Sequence, residues 1–545
     1  MKKKITRIWG IGLVIVLMST LCMIPVSPAS AADPLTWTTE VIPGTTGYVL
    51  MDQTVTPDGD VTDIAIGEDG DVMYACGGAN VTYRSTDMGV SWAQIATDAG
   101  TEVTVAIDAD LVAVANDDSD MVAIVDTATM DVYVSTNGGT SWGDLGNVGF
   151  SNLYDIAVSP AASGIHYVAV AGVDGSGAAV YYIKLGIGGN WKDAETEATG
   201  FQPATDAALA VEFSPNFASD LVLTAVTVDT ATSTYFEVLQ LTTTPNWNAD
   251  AGFDQYAVLL EDSAGNPFVA TAASIALAPT YLGGDEIERV AFVGIDLVGS
   301  AQDNADGVYR LEDYVHKQVL AQRDIHSVAF DGSTCVAGIT GIGTTGTTVW
   351  RSADPLTSIP TFRGSAALKS PGGNDMVVVG FAGTTVVAGT SGDESAFSVS
   401  EDNGASFNDI SLIDTGITNI EDVAVSPDGA QLYMATDNGT DLSVWRKASA
   451  WQRVLSVDDS TPGYIVRISP DDPDIVYVAK NQNTDLYYSK AGGDTKWYKR
   501  SAPGNIQDIA VESTDVAYMA LYNGKNVTRT DNGGFVWDTP INTKL

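Results

Sequence analysis

The chain has 545 residues, with 69 Asp and Glu against 26 Lys and Arg, giving a formal net charge of −43. That field repels a polyphosphate and excludes nucleic acid as a partner, and a hydrophobic content of 45% excludes a disordered chain. Its sign favours divalent cations, basic partners or high solubility, and a solvated acidic surface is the plainest reading.

Lys2, Lys3, Lys4 and Arg7 precede an apolar stretch from Trp9 to Ile24, followed by the small residues Ala29-Ser30-Ala31. This is the pattern of an export signal over residues 1–31, with a mature start near Ala32 or Asp33. The alternative is retention of the apolar stretch as an N-terminal anchor. The expected location is extracellular or at the cell surface, and the sequence has no later run of about 18 apolar residues of the kind that spans a membrane. Beyond the signal only Cys76 and Cys335 remain, several repeats apart, so no disulfide framework is expected. Residues 32–60, with Trp37 and Val41-Ile42, form an N-terminal segment that is a candidate ring-closing strand.

A repeat dominates the rest. Ser85-Thr86-Asp87-Met88-Gly89-Val90-Ser91-Trp92 recurs as Ser135-Thr136-Asn137-Gly138-Gly139-Thr140-Ser141-Trp142. It recurs again as Ser400-Glu401-Asp402-Asn403-Gly404-Ala405-Ser406-Phe407, and more weakly as Thr530-Asp531-Asn532-Gly533-Gly534-Phe535-Val536-Trp537. The Asp or Asn suits a turn because it accepts nearby backbone N–H groups, and the Gly supplies a backbone angle other residues avoid. The closing aromatic anchors the turn on a sheet. Between these copies the aromatic persists at Trp191, Trp247, Trp451 and Trp497, at spacings of about 40 to 56 residues, with weak landmarks at Tyr309-Arg310 and Trp350-Arg351-Ser352.

A second landmark precedes each turn: Asp63-Ile64-Ala65-Ile66, Asp155-Ile156-Ala157-Val158, Asp422-Val423-Ala424-Val425 and Asp508-Ile509-Ala510-Val511. Short apolar or alternating runs punctuated by Gly, Pro, Asn and Asp predict strands. Four strands at this period predict an all-β propeller, whose blades bury their faces by stacking on neighbours. Ten units are expected over 61–545, at about 61–95, 101–145, 151–194, 208–253, 273–320, 325–364, 374–412, 419–457, 463–501 and 505–541. With no linker dividing them, one ten-bladed ring is the favoured arrangement and two smaller propellers in tandem the alternative.

The motif Ser-x-Asp-x-Gly-x-Thr/Ser-Trp resembles the Asp-box (BNR) repeat of β-propeller proteins, and the blade count resembles the sortilin receptor propeller. The cysteine-rich module that follows that propeller has no counterpart here, so the resemblance covers blade pattern and not receptor function. The composition, rich in Thr, Ala, Val and Gly and poor in Lys, His and Cys, also resembles bacterial surface-layer proteins. Asp-box propellers include sialidases, in which an Arg-Ile-Pro motif opens an arginine triad; this sequence has no Arg-Ile-Pro. Arg84, Arg310, Arg351, Arg446 and Arg529 instead occupy one repeated position ahead of the turn, which reads as one structural arginine per blade.

The turn residues Ser85, Asp87, Gly89, Trp92, Ser135, Asn137, Gly139, Trp142, Ser400, Asp402, Gly404, Phe407, Asn532, Gly534 and Trp537 are read as structural, and no catalytic residue is assigned. The recurring Asp63, Asp155, Asp375, Asp422 and Asp508 have two readings: a ring of carboxylates at one mouth of a channel, or caps on turns of their own blades. His166, His316 and His326 lack ligand spacing. No cofactor is expected. Calcium is possible, with Asp117-Asp118-Ser119-Asp120 and Asp471-Asp472-Pro473-Asp474 as oxygen-rich candidates, although neither matches an EF-hand loop. The expected function is an exported, non-enzymatic structural or binding protein that engages a protein or glycan ligand or assembles with its own copies. The alternative is a carbohydrate-active enzyme using channel-mouth carboxylates.

Overall fold

The computed structural model describes Pro43 and residues 60–544, apart from 78–80, 96–106, 187–188, 198–204, 244, 250–251, 298–303, 341–346 and 460. The export signal and nearly all of the 32–60 segment lie outside the described residues. No helix of the described residues is long and apolar enough to cross a membrane.

The strands fall into consecutive sets of four that pair antiparallel with their sequence neighbours. The chain is therefore all-β, with four-stranded units of the β-propeller type. The first strands of the sets are Val61–Ile66 (unit 1), Leu111–Ala115 (unit 2), Asn152–Val158 (unit 3), Ala207–Phe213 (unit 4) and Ala272–Leu277 (unit 5). They continue with Ile325–Phe330 (unit 6), Val377–Ala382 (unit 7), Asn419–Val425 (unit 8), Tyr464–Ile468 (unit 9) and Ile506–Val511 (unit 10). The sheets of units 7 and 8 are joined through their outermost strands by the pair Asp409 and Arg453.

Apolar side chains on both faces of each sheet can only leave water by stacking unit on unit, and the buried core is divided accordingly. Tyr74 and Cys76 of unit 1 pack with Val122 and Ile124 of unit 2, and similar clusters lie between units 2 and 3, 3 and 4, 4 and 5, 5 and 6 and 6 and 7. Units 8 and 9 and units 9 and 10 repeat the pattern. Cys76 and Cys335 are buried free thiols within these clusters.

One further cluster joins Val61, Met73, Ala75 and Tyr83 of unit 1 to Ala382, Val387, Phe397 and Leu412 of unit 7. Glycines make the approach possible: a side chain at Gly380 would strike Ile66, one at Gly389 would strike Val61 and Ile64, and one at Gly89 would strike the Phe397 ring. Trp92 stands edge-on to Phe397, with ring centroids 5.1 Å apart. In a single ten-unit ring, unit 1 would sit on unit 10; it sits on unit 7. The contact rests on the complementarity between the unit 7 glycines and the unit 1 apolar strand.

Candidate functional site

In the repeated turn, Ser85 Oγ accepts the Gly89 N–H at 2.9 Å and donates to Asp87 Oδ1 at 2.8 Å. Asp87 accepts the Ser91 N–H at 2.8 Å and the Ser91 hydroxyl at 2.6 Å. These bonds hold the Asp87 carboxyl below its usual range despite some burial. Ser135, Asn137 and Gly139 make the same bonds, as do Ser400, Asp402, Gly404 and Ser406. Thr530, Asn532 and Gly534 complete the set. Gly89, Gly139, Gly404 and Gly534 all have φ near +80°, which favours glycine.

Unit 6 carries a version not recognised in the sequence. Ser352 Oγ donates to Asp354 at 2.9 Å, and Asp354 accepts the Thr361 N–H at 2.8 Å. Three extra residues between acceptor and donor hide it from a fixed-spacing search. Another version, in unit 9, has the Gly493 N–H on Ser489 Oγ at 2.9 Å, with no Asp in the second position.

The closing tryptophans reach backwards by one unit. Trp191 Nε1 donates to the Leu145 carbonyl at 2.9 Å, Trp247 to Ala194 at 3.0 Å and Trp497 to Val454 at 2.8 Å. Trp92 makes its backward bond to Ser411 Oγ of unit 7, at 2.9 Å. Phe407 is buried at 2% exposure and Trp142 at 5%; Trp537 packs against the cluster between units 9 and 10.

The recurring acids of the first strands follow neither sequence-level reading alone. Asp63, Asp422 and Asp508 each follow a register shift in their strand pair, and Asp155 sits beside one, a bulge that redirects the side chain. One carboxylate oxygen accepts the N–H of the next residue, as in Asp63 with Ile64 at 2.8 Å and Asp155 with Ile156 at 2.9 Å. The second oxygen crosses to the next unit: Asp63 accepts from Val112 at 2.8 Å, Asp155 from Val211 at 2.8 Å and Asp422 from Val466 at 3.1 Å. Unit 6 has Ser327 in this role, accepting from Val379 at 2.8 Å. These acids are clasps between units. Asp508 holds Ile509 and Arg467. Asp375 lies exposed ahead of its strand, with its N–H on the Ser391 carbonyl, and stands outside the clasp pattern.

Burial pushes the carboxyls of Asp63 and Asp155 up to about 7. It pushes Glu212, beside Val211, up to about 8, and the neighbouring charge of Asp155 adds to the rise. Burial holds His326 below its usual value, with Asp375 acting in the opposite direction.

Three of the repeated arginines also clasp forwards. Arg84 reaches Asp120 at 2.8 Å, Arg310 reaches the Pro355 carbonyl at 2.7 Å, and Arg446 reaches Asp494 at 2.8 Å. Each contact lies in the following unit, so these guanidiniums are dispersed and do not converge. The two proposed calcium loops are likewise engaged: Asp117 with His166 and the Ala161 N–H, Asp120 with Arg84, and Asp474 with Gln431.

A cleft of about 680 Å³ lies where units 6, 7 and 8 meet, lined by Lys369, Asp393, Glu394, Asp409, Asp441 and Arg453 among others. Arg453 is fully buried and pairs with Glu394 and, at 2.7 Å, with Asp409. Burial raises Glu394 to about 7 against the opposing pull of Arg453, and lowers Lys369 to about 7. Asp393, Glu394 and Asp441 bring one oxygen each within 4.8 Å of one another, as do Asp296, Asp306 and Asp324. Such all-oxygen sets suit a hard cation. No sequence reading found them, because their members come from separated strands and loops with no local spacing.

The fold defined by these units is the β-propeller with four-stranded blades. No family model and no curated protein matches the chain. Among solved structures it is similar to the GH74 xyloglucanase from Xanthomonas campestris, at 14% identity over 88% of this chain and 86% of that one, with a TM-score of 0.36. It is similar to the tricorn protease at 13% identity, 77% and 38% coverage and a TM-score of 0.30. A third likeness is to the Myceliophteria thermophila Cps50 (Swd1) β-propeller domain, at 10% identity, 59% and 96% coverage and a TM-score of 0.25.

Proposed function

We propose that the chain is an exported, non-enzymatic β-propeller of the Asp-box type that works at the cell surface or outside the cell as a structural or binding scaffold. The observation that carries this reading is the engagement of its recurring polar residues. The turn acids hold their turns, Asp63, Asp155 and Asp422 join two units, and so do Arg84, Arg310 and Arg446. A protein whose repeated chemistry maintains a rigid frame offers its loops and faces for binding, and the basic N-terminus with its apolar stretch supports export. We read units 1–7 as one closed propeller, within the four to eight blades usual for the fold, and units 8–10 as three blades of a second. The contact of unit 1 with unit 7 and the backward bond of Trp92 support that division.

The cleft between units 6, 7 and 8 favours a second reading, a carbohydrate-active enzyme. Glu394, raised to about 7, has the protonation suited to a general acid, and Asp409 is a second carboxylate nearby. Arg453 engages both carboxylates, which ranks this reading second. Surface protease accessibility on intact cells, together with reducing-sugar release from a panel of polysaccharides, tests the two. The scaffold reading expects a cell-exposed or secreted protein without turnover. Turnover abolished by Glu394→Gln would replace it with the enzyme.

A further inference from the structure

Arg351 of unit 6 occupies the repeated arginine position without the partner its counterparts have. Arg84 and Arg446 each meet an acid of the next unit, and Arg310 meets the Pro355 and Thr357 carbonyls. Arg351 makes no hydrogen bond or ion pair among the described residues, and its Nε is buried without a partner. Directly opposite it, on the fourth strand of the unit, stands Arg363. Arg363 is exposed and likewise has no hydrogen bond or contact ion pair among the described residues; it acts on the Asp354 carboxylate only at a distance.

The unit 7 turn explains why Arg351 lacks a partner. In units 1 and 8 the guanidinium passes over a glycine of the next turn: an added Cβ at Gly138 would lie 2.9 Å from Arg84 Cζ, and one at Gly492 would lie 2.7 Å from Arg446 Nη1. The matching residue of the unit 7 turn is Asn403, whose side chain blocks that path. The acids are replaced as well. Counted from the first residue of the turn, Asp494 corresponds to Ala405. Counted from the strand pairs Val122 with Ser135 and Val386 with Ser400, Asp120 corresponds to Thr384.

Unit 5 shows how such a pair of cations is satisfied within the chain. Arg310 stands opposite Lys317 there, and the extended unit 6 turn supplies both with oxygens, from Pro355 and Thr357 for Arg310 and from Ser358 for Lys317. The unit 7 turn has the ordinary length and bonds neither Arg351 nor Arg363. Like charges placed opposite each other cost stability, which an anion shared between them would offset. The surroundings admit one: residues 314–369, from the outer strand of unit 5 to the segment ahead of unit 7, hold 5 Lys and Arg against 3 Asp, a balance of +2 in a chain of −43.

We propose that Arg351 and Arg363 form an anion site on the outer strands of unit 6 that takes a tetrahedral oxyanion of the phosphate class. Such a group carries between one and two negative charges near neutral pH, and its oxygens point in several directions, so it can accept from two guanidiniums on separate strands. A carboxylate brings a single charge and two oxygens in one plane. The inference names a ligand chemistry for the binding scaffold and rests on that reading.

Isothermal titration calorimetry of the purified protein with inorganic phosphate, at constant ionic strength with chloride as the matching anion, tests it. The parent is expected to bind in the millimolar range or tighter, and Arg351→Ala and Arg363→Ala to weaken binding about tenfold or more each. Arg351→Lys, which keeps the charge and loses the planar fork, is expected to fall between. Asn403→Gly combined with Ala405→Asp recreates the unit 9 contacts and gives Arg351 an internal acid. That variant is expected to keep the thermal midpoint of the parent or exceed it, and to lose phosphate binding. Glycerol phosphate in the same titration separates the sources: affinity equal to or above that of phosphate marks a group carried on a larger molecule, and a weaker one marks the free ion. A parent that binds neither anion, or binding indifferent to both Arg351→Ala and the recreated contacts, would overturn the proposal. The scaffold reading fails separately, on turnover abolished by Glu394→Gln, a substitution expected to leave phosphate binding unchanged.

Discussion

Asp63 of unit 1 accepts the backbone N–H of Val112 in unit 2 at 2.8 Å, while its other carboxylate oxygen accepts the N–H of Ile64 in its own strand. One side chain therefore fixes both the bulge and the neighbouring unit. Replacing it with Ala leaves two part-buried N–H groups unpaired. Asp63→Ala and Asp155→Ala are each expected to lower the unfolding free energy by about 1–3 kcal/mol. Asp63→Asn, which keeps an acceptor, is expected to cost less. Denaturant unfolding of the three variants checks this.

The same acids set a pH dependence. The Asp63 and Asp155 carboxyls titrate at about 7 in the fold and Glu212 at about 8, against about 4 in an unfolded chain. Between those values the folded state binds more protons. The stability these groups contribute is fully present below pH 4 and is lost as pH rises through 7 to 8. The thermal midpoint is expected to fall between pH 5 and 8.5, and an Asp63→Asn, Asp155→Asn double variant to show a shallower fall. An identical slope in parent and variant would remove these residues as its cause.

The contact of unit 1 with unit 7 is expected to be intolerant of a single methyl group. Gly89 has φ +79°, and an added Cβ would run into the Phe397 ring. Gly89→Ala combines overpacking of about 1–3 kcal/mol with left-handed strain of about 1–2 kcal/mol. Gly146, equally left-handed but with open space around it, is expected to cost only the strain. Comparing the two variants by calorimetry separates the terms.

Arg453 joins units 7 and 8 through Glu394 and Asp409. Removing the guanidinium leaves two buried acids unpaired, and Arg453→Ala is expected to destabilise by about 3–5 kcal/mol. Because the pair lies at the junction, limited proteolysis of the variant is expected to cut first between residues 412 and 418. Uniform cleavage along the chain would argue against a local role.

Much of the architecture was legible because turn chemistry and strand alternation are local. The four copies from Ser85, Ser135, Ser400 and Thr530 form the turns their residues imply, and the units observed from Val61 to Asn542 follow the sequence periods closely. The neighbour of unit 1 was not legible, since it depends on Gly380 and Gly389 accommodating Ile66 and Val61 over a separation of more than 300 residues. The role of Asp63 and Asp155 was half legible: an acid that serves its own unit at the start of an apolar strand could be read, but the bulge beside it and the Val112 and Val211 donors of other units could not. The cleft acids Glu394, Asp409 and Asp441 share no motif, and only folding brings them together.

The most direct measurement is electron cryo-microscopy of the purified protein, read at the resolution of individual blades. A closed ring of seven units with unit 1 seated on unit 7, and units 8–10 as an arc joined through Asp409 and Arg453, is the expected result. A single ring of ten with unit 1 against unit 10 would contradict it.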